Sequence, residues 1–527
     1  MRDQPVTKND LRLKPLLLFV IPGYGTIKSM KLSAKLIPIE KLETQVLAVF
    51  LWENEREWPK EALWLDRVLG GLLKNILEEE EFKAKQGQIL SLHTHGKIIP
   101  SRILIVGLGK KEELGSAELR KIFAILSKKA KEFKIKQLGL GLSFGKGTKI
   151  DLKELAQGAA EGLILGNYKF LKYKGEKEKA EKKEIEEVQI AINNAPDLLR
   201  IKEGIAIGEI FAEGTIFARD LVNEPSSVTT PTFLAQVAKK LANEKIKCQV
   251  LDRRQMEAKG MGGILGVAKG SDEAPKLIRL EYKPANFRKK IVLAGKAITF
   301  DTGGLSLKSA EAMETMKCDM AGGAAILGIF SVLSKLNPKV WVIGLIPATE
   351  NMPSGKALKP GDVLKIYKGK TVEVANTDAE GRLILADTLA LGSEEKPNLL
   401  LDLATLTGAC MVALGDDLAG LFSTDEPMAE KIQNAAQEVG EQVWPMPLVK
   451  DYKELLKSEV ADLRNVTKSR YGGAITAALF LQEFVDKTPW IHLDIAGPAF
   501  AEKETPLVSQ GGSGFGVRTL LTFLNKL

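Results

Sequence analysis

Three observations predict an α/β protein of two domains, a smaller N-terminal one and a larger C-terminal one whose mixed, largely parallel sheet is covered by helices. The chain has 527 residues, more than one hydrophobic core usually serves. Short apolar runs alternate with helical periodicity through both halves. A run of mixed charge and then a proline divide the chain near residue 190. Val46 to Leu51, Ile103 to Val106 and Leu138 to Leu142 read as strands, and Glu61 to Leu77 and Ser116 to Phe133 as helices. The alternating signs from Lys172 to Glu187 predict a solvated loop or exposed helix. Asp197 to Leu221, just after Pro196, predict a linking helix. Beyond it, Leu277 to Tyr282, Ile291 to Leu293, Val340 to Ile346, Leu399 to Leu403 and Ile491 to Ile495 read as strands separated by helices, the pattern of a sheet covered on both faces. The expected division is an extension over 1–29, an N-terminal domain over 30–190, a linking helix over 191–225 and a catalytic domain over 226–527.

The chemistry concentrates in two places. Asn376-Thr377-Asp378-Ala379-Glu380-Gly381-Arg382 follows a strand signal at Thr371 to Ala375 and opens a helical stretch, Arg382 to Leu391. The carboxylates therefore fall where a strand ends, and in open α/β sheets ligands collect at the carboxyl ends of strands. Alone, such a pair reads as a helix cap or dipole partner. The second cluster is the run Leu293 to Lys308, a strand followed by the Gly303-Gly304 turn, in which Lys296 and Asp301 flank an apolar segment and Lys308 follows the turn. Asp319 then opens an apolar helix through Ala324, Ile326, Leu327 and Phe330. Charges beside core strands are costly unless paired or metal-bound, so internal Lys/Asp bridges are the simpler alternative for this cluster.

Together the clusters offer Asp301, Asp319, Asp378 and Glu380 with Lys296 and Lys308, enough negative charge for two divalent cations. Oxygen ligands suit Mg²⁺ and Mn²⁺, and a nitrogen ligand moves the preference toward Zn²⁺ or Co²⁺. Two adjacent metals can share a hydroxide and clamp a carbonyl. One lysine could ligate only as a neutral amine, while the other, protonated, could stabilise an oxyanion.

With these residues the chain resembles the leucyl aminopeptidases, dinuclear metallopeptidases of the cytosol marked by NTDAEGR. The strings GKAITFDTGGLSLK and MKCDMAGGAA carry Lys296, Asp301, Lys308 and Asp319 in that family's order. Arg219 to Pro225, Glu350 to Gly355, Leu403 to Gly408 and His492 to Gly497 are also similar, and the resemblance runs from about Met30 to the C-terminus. It implies a metal-dependent aminopeptidase releasing leucine-like N-terminal residues. The tighter metal site would use Lys296, Asp301, Asp319 and Glu380, and the exchangeable one Asp301, Asp378 and Glu380, with Mn²⁺ or Zn²⁺ bound and Mg²⁺ or Co²⁺ as further candidates for the exchangeable site. A bridging hydroxide would attack the scissile carbon, Lys308 would stabilise the gem-diolate, and Arg382 would hold bicarbonate as proton shuttle. A helix start beside an arginine independently makes an anion site. Met316, Asn376, Thr405, Leu406, Gly408 and Ala496 match positions around the substrate cleft. The resemblance further implies a cytoplasmic homohexamer. Ser309 stands where the family commonly has proline, and Ala297 where it commonly has glycine.

Other chemistries lack their parts. With only His93, His95 and His492 there is no HExxH, and no GxSxG elbow occurs. His93 and His95 read as surface residues and His492 as a structural histidine. Gly141 to Thr148 is one residue short of a Walker loop, and Gly107-Leu108-Gly109 lacks the third glycine of a dinucleotide fingerprint. Cys248, Cys318 and Cys410 show no paired spacing, which predicts a reducing compartment, and Cys318 reads as a buried small hydrophobe. No run approaches the length of a transmembrane helix, and Leu16 to Ile21 makes a poor signal peptide. A net charge of +8 keeps DNA binding as a minor second role, although no basic stripe interleaved with aromatics supports it. Residues 1–29 have no counterpart in the resemblance, so translation is expected to start at Met30. Intact-mass analysis finding Met1 or Arg2 at the terminus would overturn that expectation.

Overall fold

A computed structural model describes residues 30–54, 57–142, 150–181 and 184–527. The 1–29 extension and most of the near-Walker segment lie outside the described residues.

The first sheet has six strands in the order Lys31–Leu36, Glu187–Ile192, Gln137–Gly141, Val46–Leu51, Arg102–Gly107, Ile89–His93. All neighbours are parallel except the last, Ile89–His93, which is antiparallel to Arg102–Gly107. The Val46–Leu51 strand is buried along its whole length, as a strand covered on both faces must be. Val46, Ala48 and Phe50 pack under the Ser116–Glu132 and Leu152–Asn167 helices, and Leu47, Val49 and Leu51 under Lys60–Val68 and Leu73–Glu79. The single helix expected over Glu61 to Leu77 is thus two. Gly70 and Gly71, at φ 78° and 79°, turn the chain left-handed between them, a conformation glycine adopts without a Cβ penalty. The charged run holds the short Glu176–Glu181 helix, and Gly107 ends its strand rather than a dinucleotide loop.

The 29-residue Ala195–Asn223 helix begins at an Asn194 cap with Pro196 in its first turn. It packs on Leu152–Asn167 and on Ala321–Leu336, and so joins the two halves of the molecule. The second sheet has nine strands. Its centre, in order, is Trp490–Asp494, Leu399–Ala404, Lys289–Gly295 and Val340–Asn351, all mutually parallel, with Ala297–Asp301 also parallel to Val340–Asn351. Antiparallel strands flank this core, which gives the mixed, largely parallel sheet. Helices Ala195–Asn223, Ala321–Leu336, Glu426–Val439 and Val517–Lys526 cover one face, and Gly381–Glu394 and Gly473–Gln482 the other.

Two further expectations change. Asp378 does not follow a strand of the main sheet, because Thr371–Glu373 belongs to a separate three-stranded sheet and ends before the motif. Residues Ala310–Leu336 do reach the length and apolarity of a membrane span, at 27 residues and mean hydropathy 1.4, but 83% of the most apolar window is buried inside the protein. That segment contains the core helix Ala321–Leu336, flanked by the sheet and by Ala195–Asn223.

Candidate metal centre

Five strand ends meet at one edge of the second sheet. Lys296 follows Lys289–Gly295, Asp301 closes Ala297–Asp301, Asn351 closes Val340–Asn351, Thr405 follows Leu399–Ala404, and Asp494 closes Trp490–Asp494. Because these strands are parallel, their carboxyl ends all open on the same side, where α/β sheets bind ligands. The Asn376-to-Arg382 segment meets this edge through Asp378 and Glu380, and Gly381 starts the helix that carries Arg382.

Lys296 lies at the bottom of the cluster, with its ammonium 2.8 Å from Asp319 Oδ2 and 2.9 Å from Glu380 Oε1, and donating to the Thr405 carbonyl at 2.9 Å. Its path requires glycine at 381, where a Cβ would fall 2.6 Å from the lysine Cε and Nζ. Lys308 reaches in from the Gly303-Gly304 turn, 3.0 Å from Asp301 Oδ2 and 2.5 Å from Asp378 Oδ1. Asp301 Oδ1 accepts from Gly303 N and Asn351 Nδ2, both at 2.8 Å. Thr377 ties the two motifs together: its hydroxyl donates to the Gly303 carbonyl at 2.6 Å and accepts from Ser306 N at 2.8 Å. The sequence clusters are therefore one site.

Burial disfavours the charge on Lys296, but Asp319, Glu380 and Asp301 outweigh it and hold the ammonium above the ordinary lysine range. Burial likewise opposes Lys308, and Asp301 and Asp378 likewise raise it. Burial lifts Asp319 well above the usual carboxylate range despite Lys296, and lifts Glu380, helped by the nearby Asp301 charge. Asp378 is raised by burial too. Burial is the first cause of the carboxylate shifts, and the ion pairs do not cancel it: Asp301, Asp319, Asp378 and Glu380 share the Lys296 and Lys308 ammoniums, so carboxylates outnumber their directly paired cations.

That excess is what divalent cations neutralise. Ligand atoms of Asp301, Asp378 and Glu380 lie within 4.8 Å of one another, and Glu380 Oε2 is buried without a hydrogen-bond partner. Oxygen donors beside a potential amine ligand fit Mn²⁺, Zn²⁺, Mg²⁺ or Co²⁺. Asp319 stands outside this compact trio and joins it through Lys296. Arg382 is buried, with Nη1 donating to the Asn465 carbonyl at 2.6 Å and Nε without a partner. Burial pushes its pKa down to about 10 against the opposing charges of Glu380 and Asp494, which still leaves a cation at neutral pH.

Among the cleft candidates, Thr405 touches the cluster directly, its hydroxyl donating to Asp319 Oδ1 at 2.7 Å. Leu406 N and Ala496 N both donate to Asp494 Oδ1 at 3.2 Å. Asn376 Oδ1 accepts from Asp378 N at 2.8 Å. Gly408 is exposed at the start of the Gly408–Leu414 helix, with open space where a Cβ would be. Met316 is half-buried in the Met316–Cys318 turn before Asp319. Sequence reasoning did not single out Asn351, Asn465 or Asp494. Asn351 and Asp494 sat inside strings already quoted, whereas Asn465 carried no local signal. Ser309 is the N-cap of Ala310–Met313, accepting from Ala312 N, a role proline lacks the side chain to fill. The Ala297 Cβ occupies space that Gly323 leaves free.

The histidines stay apart from the centre. His93 contacts Arg102, and His492 is buried with Nδ1 2.6 Å from Asp402 Oδ1, stacked on Phe422 and Trp490. Its Nε2 has no partner, so it is satisfied on one side only. Cys318 is buried, and burial pushes its thiol up to about 12, as for an inert small hydrophobe.

A parallel-sheet edge gathering buried carboxylates, two lysines and an arginine offers the donor set of a metal-dependent enzyme, in a protein of two α/β domains. Residues 216–521 match the catalytic domain of the cytosol aminopeptidase family, and residues 46–177 match its N-terminal domain. The probable cytosol aminopeptidase of Aquifex aeolicus (strain VF5) is 45% identical, covering 95% of this chain and 99% of the relative. That of Alkaliphilus metalliredigens (strain QYMF) is 41% identical, covering 92% and 96%. Among solved structures, a tomato leucine aminopeptidase mutant superimposes with a TM-score of 0.84 at 34% identity, covering 95% and 97%. The bottromycin maturation enzyme BotP in complex with Mn gives 0.81 at 33% identity, covering 92% and 99%. The chain belongs to the cytosol aminopeptidase family and is a metal-dependent aminopeptidase.

Proposed function

We propose that the protein removes N-terminal residues with leucine-like side chains from peptides bearing a free α-amine, using two divalent cations. The observation that carries this reading is the buried excess of carboxylates over ammoniums at the sheet edge, with Glu380 Oε2 unpaired among them. Lys296, Asp301, Asp319 and Glu380 would hold the tighter ion, and Asp301, Asp378 and Glu380 the exchangeable one. When bound, the pair supplies Lewis acidity toward the scissile carbonyl and the bridging-hydroxide chemistry of two-metal sites. Lys296 would ligate as a neutral amine, and its complete burial favours that form once its carboxylate neighbours are otherwise compensated.

Lys308 pairs with a different set of carboxylates from Lys296 and keeps its proton, so its ammonium can stabilise the oxyanion that develops on the scissile carbonyl. Arg382, at a helix N-terminus with a free Nε, would hold bicarbonate for proton transfer. Met316, Asn376, Thr405, Leu406, Gly408 and Ala496 would line the cleft. Mn²⁺ or Zn²⁺ would fill the sites, with Mg²⁺ or Co²⁺ as alternatives at the exchangeable one. A cytoplasmic homohexamer completes the proposal, in keeping with the cytosolic names of the relatives.

The test is hydrolysis of leucine p-nitroanilide by purified protein with added Mn²⁺, Zn²⁺, Mg²⁺ or Co²⁺, beside an N-acetylated substrate and a chelator-treated sample. Metal-dependent cleavage abolished by acetylation is expected. Silence on this substrate and on a panel of free-amine dipeptides would overturn the reading. Arg382→Ala should lower turnover by roughly two to three orders of magnitude, by analogy with loss of one oxyanion donor.

A further inference from the structure

Asp494 is fully buried at the carboxyl end of Trp490–Asp494, and among the described residues it makes no direct ion pair, the Arg382 charge acting on it only from farther off. A carboxylate in that position costs free energy unless neutral donors satisfy it. Four do. Oδ1 accepts from Leu406 N at 3.2 Å, Thr407 N at 3.4 Å and Ala496 N at 3.2 Å, and Oδ2 accepts from Thr407 Oγ1 at 2.6 Å. These donors come from two separate segments, one following Leu399–Ala404 and one following Asp494 itself. The segments are also joined by Ile495 N donating to the Ala404 carbonyl at 2.8 Å.

The first segment leads straight to the metal cluster. Thr405, one residue before the clamped Leu406, accepts from Lys296 Nζ at 2.9 Å through its carbonyl and donates to Asp319 Oδ1 at 2.7 Å through its hydroxyl. Thr407 caps the Gly408–Leu414 helix by accepting from Cys410 N at 3.0 Å. One buried carboxylate therefore sets the height of the Thr405 carbonyl, the start of that helix and the Ala496 turn.

We propose that Asp494 is a positioning residue of the peptidase centre, its carboxylate clamping the Thr405-to-Gly408 wall to the Ala496 turn so that Thr405 holds Lys296 and Asp319 in ligating position. The proposal rests on the aminopeptidase reading given above. Asp494 touches neither metal nor substrate. It acts through Thr405 on the ligands and through Leu406 and Ala496 on the cleft. A misplacement of about 1 Å far from the chemistry can cost about a hundredfold in rate.

Three full-length variants test this: Asp494→Ala, Asp494→Asn and Thr407→Val. Each is read by kcat and KM on leucine p-nitroanilide, by calorimetric titration of the metal-free protein with Mn²⁺, and by thermal melting. Asp494→Ala is expected to lower kcat by about a hundredfold and to weaken Mn²⁺ binding at least tenfold. Asp494→Asn, which keeps an acceptor in place, should restore most of both. Thr407→Val, which removes only the hydroxyl, should lie between, and it decides the matter if Asp494→Ala does not fold. Variants that melt earlier yet bind Mn²⁺ and turn over like the parent would reduce Asp494 to a structural residue and overturn the proposal. An inactive parent protein would instead remove the aminopeptidase reading, while the Mn²⁺ titrations would still report on Asp494.

Discussion

Replacing Lys308 by Ala should separate metal affinity from turnover, moving them in opposite directions. The Lys308 ammonium lies 3.0 Å from Asp301 Oδ2 and 2.5 Å from Asp378 Oδ1, two carboxylates of the compact acidic trio. In the metal-free protein it competes with any cation for those oxygens, and in the loaded protein it repels that cation. Two unit charges about 4 Å apart interact by about 4 kcal/mol at an effective dielectric near 20. The lysine side chain is 15% exposed, so solvent screening lowers that ceiling. A gain of about 1.4 to 2.8 kcal/mol in metal binding, roughly ten- to a hundredfold, is the expected result. Turnover should fall by roughly two to three orders of magnitude, because the oxyanion loses its cationic partner. The assay pairs Mn²⁺ titration calorimetry on chelator-stripped protein with kcat at saturating Mn²⁺. If Lys308→Ala binds Mn²⁺ more weakly than the parent, or turns over at a near-parental rate, the roles assigned to the two lysines are wrong.

Asn351→Ala removes the donor to Asp301 Oδ1 and to the Thr377 carbonyl, at 2.8 and 3.1 Å, and should cost about 1 to 3 kcal/mol of metal-free stability, read by denaturant unfolding. Arg120→Met breaks the buried pair with Glu161, at 2.6 Å, that helps dock the N-terminal helices on the Glu438 carbonyl, and should cost about 3 to 5 kcal/mol, read as a lower melting temperature. Glu209, on the joining helix, has its carboxyl pushed up to about 7 by burial and then by Glu213, against the opposing pull of Lys335. A carboxyl with a raised folded pKa holds its proton in the fold and releases it on unfolding. Its contribution is therefore favourable at low pH and is lost as pH rises from the ordinary carboxylate value through about 7. Glu209→Gln should accordingly stabilise the protein by about 2 to 3 kcal/mol at pH 8 and change little at pH 4, and an equal effect at both pH values would contradict the burial argument.

Much of this was legible because the chemistry is written in two short strings. Lys296, Asp301 and Lys308 fall within two consecutive short strands and the glycine turn after them, and Asp378, Glu380 and Arg382 within one segment, so local sequence shows charges where apolar periodicity breaks. Central strands such as Val46–Leu51 were visible because a strand buried on both faces is a continuous apolar run. Other features depend on contacts that no local pattern encodes. Asp494 reads as the polar end of a strand until Leu406, Thr407 and Ala496 converge on it. Asn465, remote in sequence, accepts from Ala375 N and donates to the Asn376 carbonyl, so it props up the acidic segment from below. The break at Gly70-Gly71 was available in the sequence, but helical periodicity on both sides concealed it. The strand before the acidic motif was read at Thr371 to Ala375, but its partners Val363–Lys365 and Leu463–Arg464 were missed because strands of two or three residues are too short to establish a period.

The charge excess of the centre makes demands on the scaffold that holds it. Four carboxylates sharing two ammoniums repel one another, and burial raises Asp319, Glu380 and Asp378 alike. The backbone around them is held by neighbouring elements. Asp301 ends a strand that pairs with Val340–Asn351 on both sides of a register shift after Ile298, Lys296 is threaded over Gly381, and Gly303, at φ 83°, holds a turn in which a Cβ would meet the Ser306 carbonyl at 2.4 Å. Gly381→Ala and Gly303→Ala would therefore disturb the centre without removing a charge. Preorganisation of this kind keeps ligand geometry fixed before any cation arrives, so binding free energy is not consumed in ordering the protein. The cost falls on the metal-free fold, which must tolerate uncompensated buried charge. A divalent cation should thus raise the melting temperature of the parent far more than that of a variant in which Glu380 is replaced by Gln, because the variant has already shed part of the charge excess that the cation neutralises.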